Sequence, residues 1–318
     1  MIPVFIVLGV LALVVIFGGL YAYNQAFYAK GGKKNISGYF EKNTCYQRLK
    51  DVVDDLIKNM ENDKYEDVYI KSYDGTRLYA RYYHTKDNAP VHIMLHGYKG
   101  NALRDMCGGY RLARDMGHNV LVVDHRGCGK SCGRTITFGI KERRDALCWI
   151  NYICSRFGDV PIFMVGVSMG AATSLMVTDM DIPKNVVGVI ADCPYSSPKE
   201  VITKVCRDMG MPRFIYAFVV LGAMLYGGFL PNSASAVKSV QNSKVPILIL
   251  HGDADAFVPF SMAEAIYKSA TSEKYLYSFE GADHGMSYMV DPEKYTAAVN
   301  EFAQKCLNYR HSVDENKI

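Results

Sequence analysis

The chain has no block of lysine and arginine interleaved with aromatic residues, and its formal net charge of +4 is small for 318 residues. Both facts argue against a nucleic-acid surface. Its nine cysteines (Cys45, Cys107, Cys128, Cys132, Cys148, Cys154, Cys193, Cys206 and Cys306) form no Cys-x-x-Cys pair and no Cys/His cluster at zinc-ligand spacing. An odd number without a paired framework reads as free thiols in a reducing compartment. Cys128 and Cys132 stand four apart in a glycine-rich loop, where a metal or redox site is the less economical reading. No lysine or arginine precedes the first apolar run and no small-x-small cleavage site follows it, so it is not a secretory signal peptide. What the chain does have is apolar residues, 49% of the total, enough for a sizeable core.

Those residues are unevenly placed. Ile2 to Tyr23 carries no charged side chain and is long enough to cross a bilayer as a helix. Tyr21, Tyr23, Phe27 and Tyr28 follow as interfacial aromatics. Lys30, Lys33 and Lys34 then place the rest of the chain on the cytoplasmic side. The expectation is a single-pass cell-membrane protein: a transmembrane anchor at 1–25, a linker at 26–43, a folded domain at 44–310 and a polar tail at 311–318, with membrane lipid as a partner of the anchor. Residues 44–60 repeat apolar side chains every three or four positions and predict an edge helix. Val68-Tyr-Ile and Arg77–His84 alternate around Asp74-Gly75, a hairpin signature. From Val91 onward, short apolar runs at 91–95, 119–123, 161–165, 186–191, 245–250 and 275–279 alternate with helical stretches. That is the pattern of parallel strands covered on both faces by helices. With the hairpin the expectation is eight strands, mostly parallel, with reactive groups at their carboxyl ends.

The third of those runs meets Gly166-Val-Ser168-Met-Gly170 and is followed by small, helix-compatible residues. Glycines on both sides allow a sharp strand-to-helix turn that lifts a serine hydroxyl clear of the sheet edge. The helix beyond it aims its first N–H groups at whatever that serine attacks. Strand 91–95 ends in His96-Gly97-Tyr98-Lys99-Gly100, a loop able to lend one backbone N–H to an oxyanion pocket. Tyr98 and Met169 are the candidate donors, through their main chains. The Gly-rich stretch Asp124–Ser131 is not a phosphate cradle: its spacing and its strand are wrong, and Asp124 and Arg126 read as braces for neighbouring loops. Strand 245–250 ends in His251-Gly-Asp253-Ala-Asp255. Asp255 is the better-placed acid, with Asp253 and Asp192 as alternatives. Among eight histidines only His284 sits in a small-residue loop after the last strand, downstream of both serine and acid. Ser168, Asp255, His284 is the chain order of a triad built on an α/β sheet.

Gly166-Val-Ser168-Met-Gly170, His96-Gly97, His251-Gly-Asp-Ala-Asp255 and Gly281-Ala-Asp-His284 together resemble the serine-hydrolase branch of the α/β-hydrolase superfamily. The closer likeness is to bacterial members with an N-terminal hydrophobic segment. The resemblance covers residues 66–307. It implies Ser168 as nucleophile, His284 as general base, Asp255 as its orienting acid and an oxyanion pocket from Tyr98 and Met169, with no metal or organic cofactor. It implies hydrolysis of carboxylic esters through an acyl-enzyme. A thioesterase, or a peptidase or amidase, on the same triad is the alternative, and a non-catalytic binding protein the second. The insertion 195–243 contains an almost wholly apolar stretch, Pro212–Leu230, too short and too interrupted by small residues for a second membrane span. It reads as a helical lid over the serine, suited to a hydrophobic acyl substrate.

Overall fold

The computed structural model of the protein describes residues 2–29 and 44–315. The three lysines at 30, 33 and 34, and most of the expected linker, lie outside those residues.

The first helix, α1 (Ile2–Ala26), is followed by α2 (Thr44–Asn62), which turns Val53 and Met60 into the core. A hairpin of β1 (Glu66–Lys71) and β2 (Arg77–Tyr83) forms around Asp74-Gly75, with Gly75 at φ 81° as such a turn requires. Then β3 (Val91–Leu95), α3 (Ala102–Asp115), β4 (Asn119–Asp124), α4 (Glu142–Phe157), β5 (Ile162–Val167), α5 (Met169–Met176) and β6 (Val186–Asp192) alternate. The insertion supplies α6 (Pro198–Asp208), α7 (Ile215–Gly222), a π-turn (Ala223–Gly227) and the short α8 (Ala236–Val240). The chain closes with β7 (Ile247–Gly252), α9 (Phe260–Ser269), β8 (Lys274–Phe279), α10 (Ser287–Val290) and α11 (Pro292–Glu315).

One eight-stranded sheet runs in the order β1-β2-β4-β3-β5-β6-β7-β8. It is mixed, which corrects the expectation of a mostly parallel sheet: β1/β2 and β2/β4 pair antiparallel, and the pairings from β4/β3 through β7/β8 are parallel. The physical reason is the hairpin, which enters at one edge and turns two of the pairings round. Central strands are buried along their whole length, β3 and β7 without an exposed residue, because helices cover both faces. The two buried clusters lie on opposite faces of the sheet. One centres on Trp149, Ile93 and Leu175, the other on Phe163, Phe279 and Phe302.

The single-pass membrane assignment is overturned. Among the described residues no helix is long and apolar enough to cross a membrane. The reason lies in where the apolar run is spent. Its C-terminal third docks on the 195–243 insertion: a Cβ added at Gly222 in α7 would stand 2.3 Å from the Gly19 carbonyl oxygen, so the two helices cross almost backbone to backbone. Ala22, Tyr23 and Phe27 are buried in the same cluster as the sheet. The stretch before Gly18 would span about 24 Å as a helix, short of the ~30 Å hydrocarbon layer. The lipid partner inferred from an anchor loses its basis with it.

Candidate active site

The sharpest backbone feature is at the end of β5. Ser168 sits at φ 55°, ψ −112°, a conformation that a residue with a side chain holds only when its surroundings impose it. Those surroundings need glycine. A Cβ at Gly166 would stand 2.2 Å from the Gly170 carbonyl carbon, and one at Gly170 would stand 1.8 Å from the Leu95 carbonyl oxygen. Gly170 therefore lets α5 start against the end of β3, which brings the loop after β3 beside the serine. A Cβ at Gly97 would lie 3.6 Å from Ser168 Cβ. The Ser168 N–H donates to the Asp192 carbonyl at 2.8 Å, tying the turn to the next strand.

Two loops from the far side of the sheet converge on this serine. His284 Nε2 lies 2.9 Å from Ser168 Oγ, and His284 Nδ1 lies 2.7 Å from Asp255 Oδ2. All three residues are buried. The other Asp255 oxygen accepts from the Phe257 and Val258 N–H groups at 2.9 and 2.7 Å, which fixes the carboxylate plane. Burial alone would raise the Asp255 carboxyl. The charge of His284 and hydrogen bonds from His251 and His284 outweigh it and hold the group well below the usual carboxylate range. With Asp255 ionised, Nδ1–H is the donor to it, and Nε2 is left to accept from the serine hydroxyl.

The alternative acids have other partners. Asp253 accepts from the Gly281 N–H at 2.8 Å and so braces the loop that carries His284. Asp192 accepts from Ser287 Oγ at 3.2 Å; burial pushes its carboxyl up to about 6, against the pull of His251, Tyr295, Ser287 and His284. The Tyr98 loop is held by Asp105, which accepts from the Gly97 N–H at 3.0 Å, and by a Gly100 N–H to Gly97 carbonyl bond of 3.0 Å. Lys99 takes φ 46° in that turn. Met169 is the first residue of α5, so its N–H has no acceptor inside the helix.

Two residues of the site were missed by sequence reasoning. His251 is fully buried and its Nε2 lies 3.2 Å from Asp255 Oδ2 and 2.8 Å from the Val258 carbonyl, so two imidazoles share one carboxylate. Its position at the end of β7, four residues before the acid, was the available signal. Cys193, at φ 46° just after β6, is the other. Among the described residues, Cys193, Asp255 and His284 form the group whose ligand-type atoms all lie within 4.8 Å of one another. The acid and the imidazole already spend those atoms on each other and on Ser168. Cys128 and Cys132 carry free thiols.

Comparisons with known proteins bear on the fold. A family model described as the alpha/beta hydrolase fold matches residues 90–219, and one for the dienelactone hydrolase family matches residues 217–309. The chain is 28% identical over 213 residues to the uncharacterized protein YqkD of Bacillus subtilis (strain 168), covering 66% of this chain and 70% of that one. It is 28% identical over 201 residues to the lysophosphatidylserine lipase ABHD12 of Xenopus tropicalis, covering 60% of this chain but 49% of the lipase, about half its length. Among solved structures, the Pyrococcus furiosus esterase Pf2001 superposes with a TM-score of 0.64 at 24% identity, covering 79% of this chain and 93% of that one. Est1E of Butyrivibrio proteoclasticus with bound ferulic acid gives 0.61 at 22% identity, covering 76% and 99%. Sheet order, the two partial family-model matches and the solved neighbours together support an α/β-hydrolase-like fold for this chain.

Proposed function

We propose that the protein is a serine hydrolase that cleaves carboxylic esters through an acyl-enzyme. The observation that carries this reading is the continuous relay from Asp255 to His284 to Ser168, with links of 2.7 and 2.9 Å. A serine hydroxyl is a poor nucleophile at neutral pH. His284 takes its proton as Oγ attacks the ester carbonyl, and Asp255 stabilises the imidazolium that forms. The Tyr98 and Met169 N–H groups take up the charge on the carbonyl oxygen. The imidazolium then protonates the departing alcohol, and water hydrolyses the acyl-enzyme by the same route. We read the apolar helices of the insertion as a lid suited to a hydrophobic acyl group, and relatives named lysophosphatidylserine lipase support that substrate class.

Ester hydrolysis and labelling by a fluorophosphonate test this reading. Wild type is expected to label and to turn over p-nitrophenyl esters, with a preference that rises from acetyl toward longer chains. Ser168→Ala is expected to lose labelling and at least about 10⁴-fold in kcat. A folded wild-type protein that neither labels nor hydrolyses any ester would instead mark a binding protein on a hydrolase scaffold. Equal rates from acetyl to dodecanoyl would remove the hydrophobic-acyl part.

A further inference from the structure

Helix α1 does not stop at the lid. Its last two carbonyls point into the loop that follows β3. Tyr98 Oη donates to the Ala26 carbonyl at 2.6 Å, and Lys99 Nζ donates to the Gln25 carbonyl at 3.0 Å. The carboxyl end of a helix carries unsatisfied carbonyls and a partial negative charge, so a hydroxyl and an ammonium there act as its cap. Both donors flank the N–H proposed to face the oxyanion. The Tyr98 ring also stacks on Phe138, with centroids 4.6 Å apart, and Phe138 meets Phe27 edge-on at 5.8 Å.

The other face of α1 is fixed to different parts of the molecule. Tyr23 Oη and Thr135 Oγ1 are 2.6 Å apart, the Ile136 N–H donates to the Phe27 carbonyl at 2.8 Å, and the Ala29 N–H donates to the Arg134 carbonyl at 2.9 Å. Tyr226 Oη in the π-turn donates to the Ile16 carbonyl at 3.2 Å, and Gly222 crosses Gly19 at backbone distance. From Ile16 onward this helix touches the insertion, and at its tip it touches the loop after β3. That loop needs outside support, because Lys99 holds a positive φ that nothing in its own side chain favours. Asp105 secures the loop at Gly97 only; the Tyr98 end is secured by α1.

We infer that Tyr98 and the C-terminal turn of α1 are positioning elements for the oxyanion donor, and that α1 transmits lid packing to that donor. The inference rests on the ester-hydrolase reading for its catalytic meaning, while the mechanical link between lid and loop stands on the contacts alone. The Tyr98 side chain touches no reacting atom; its hydroxyl sets where its own backbone N–H points.

The test uses the full chain, with Tyr98→Phe, Gly222→Ala and the double variant. Tyr98→Phe keeps the ring and the N–H and removes the tie to Ala26. It is expected to lower kcat about 5- to 10-fold with KM little changed, and to slow fluorophosphonate labelling in parallel. Gly222→Ala forces α1 off α7, far in sequence from the serine. It is expected to lower kcat in the wild-type background and to add little to Tyr98→Phe, because the link is already cut. Hydrogen exchange in the 96–101 segment is expected to accelerate in both single variants. Unchanged kcat in Tyr98→Phe, a change confined to KM, or fully multiplicative losses in the double variant would each overturn the inference. If Gly222→Ala does not fold, Tyr98→Phe decides it. If Ser168→Ala keeps hydrolysing esters, the parent reading has failed, and exchange at 96–101 alone then decides the mechanical link: no acceleration refutes it.

Discussion

Asp192 is a carboxylic acid in a place that disfavours its charge. It is wholly enclosed, and burial holds its carboxyl at about 6 against an ordinary value of 3.8. A carboxyl raised in the fold contributes stability that is full below the unfolded value and is lost as pH rises through the folded one. The window is therefore pH 4 to 6. Asp192→Asn is expected to show it: wild type minus variant stability should fall on going from pH 4 to pH 7, by up to about 3 kcal/mol. Urea midpoints at pH 4, 5, 6 and 7 measure this, and a pH-independent difference would contradict it. Asp255 is shifted the opposite way, so its contribution is lost only as pH falls below the ordinary carboxylate range. At this scale the sequence was informative where chemistry demands a backbone shape. Gly166 and Gly170 announced the turn at Ser168, and the order of serine, acid and histidine separated His284 from seven other histidines. Asp255, and not Asp253, reaches the His284 ring, in keeping with the direction in which the loop turns. The approach of His251 and Cys193 to the same carboxylate depends on how adjacent strand ends stagger, which no local pattern encodes.

Secondary-structure elements were readable to within a residue or two, because period-2 and period-3.6 patterns are set by burial. The predicted strand 161–165 runs as Ile162–Val167 and the predicted 245–250 as Ile247–Gly252. The first helix was misread for a physical reason: an apolar run has the same composition whether lipid or protein covers it. Only Gly18 and Gly19, which let Phe218 and Leu221 approach, hinted at a protein partner. A second element depends on one side chain. Arg126, after β4, donates to both oxygens of Asp145 on α4 at 2.6 Å each and to Asp74 in the β1–β2 turn at 2.9 Å. Ser72 donates to the same Asp145. The bracing role expected for Arg126 thus reaches the hairpin. Arg126→Ala leaves Asp145 enclosed without its cation and is expected to cost roughly 3–5 kcal/mol. Replacing the pair together, Arg126→Met with Asp145→Leu, is expected to recover much of that. Denaturant midpoints of the three variants decide it, and a loss under 1 kcal/mol for Arg126→Ala would show that the hairpin is held elsewhere.

Across the whole molecule, three enclosed histidines act together. His92 and His118 share a 2.9 Å contact between ring nitrogens, and His125 hydrogen-bonds to His96. Burial keeps His92 and His125 well below the ordinary imidazole value and His118 at about 4. A lowered histidine contributes stability that is present above about 6.5 and is lost as pH falls, because the unfolded chain takes up protons the folded one refuses. Three such groups outweigh Asp192, whose effect has the opposite sign in this range. The protein is expected to unfold more easily as pH drops from 7 to 5, and the Asp192→Asn variant more steeply still. Thermal midpoints over that range test this; a midpoint that rises on acidification would contradict it. The eight-stranded architecture was predictable because alternating apolar runs and helices leave few ways to build a sheet. Its mixed direction follows from the hairpin at one edge.

The close crossing of Gly19 and Gly222 also bears on how the polypeptide is made. Helix α1 leaves the ribosome well before the surface that receives it, which lies about 200 residues downstream. At roughly 5–20 residues per second that is a wait on the order of 10–40 seconds. Throughout it, one of the most apolar stretches of the nascent chain is without the surface that covers it in the finished fold, so the order of the sequence itself prolongs its exposure.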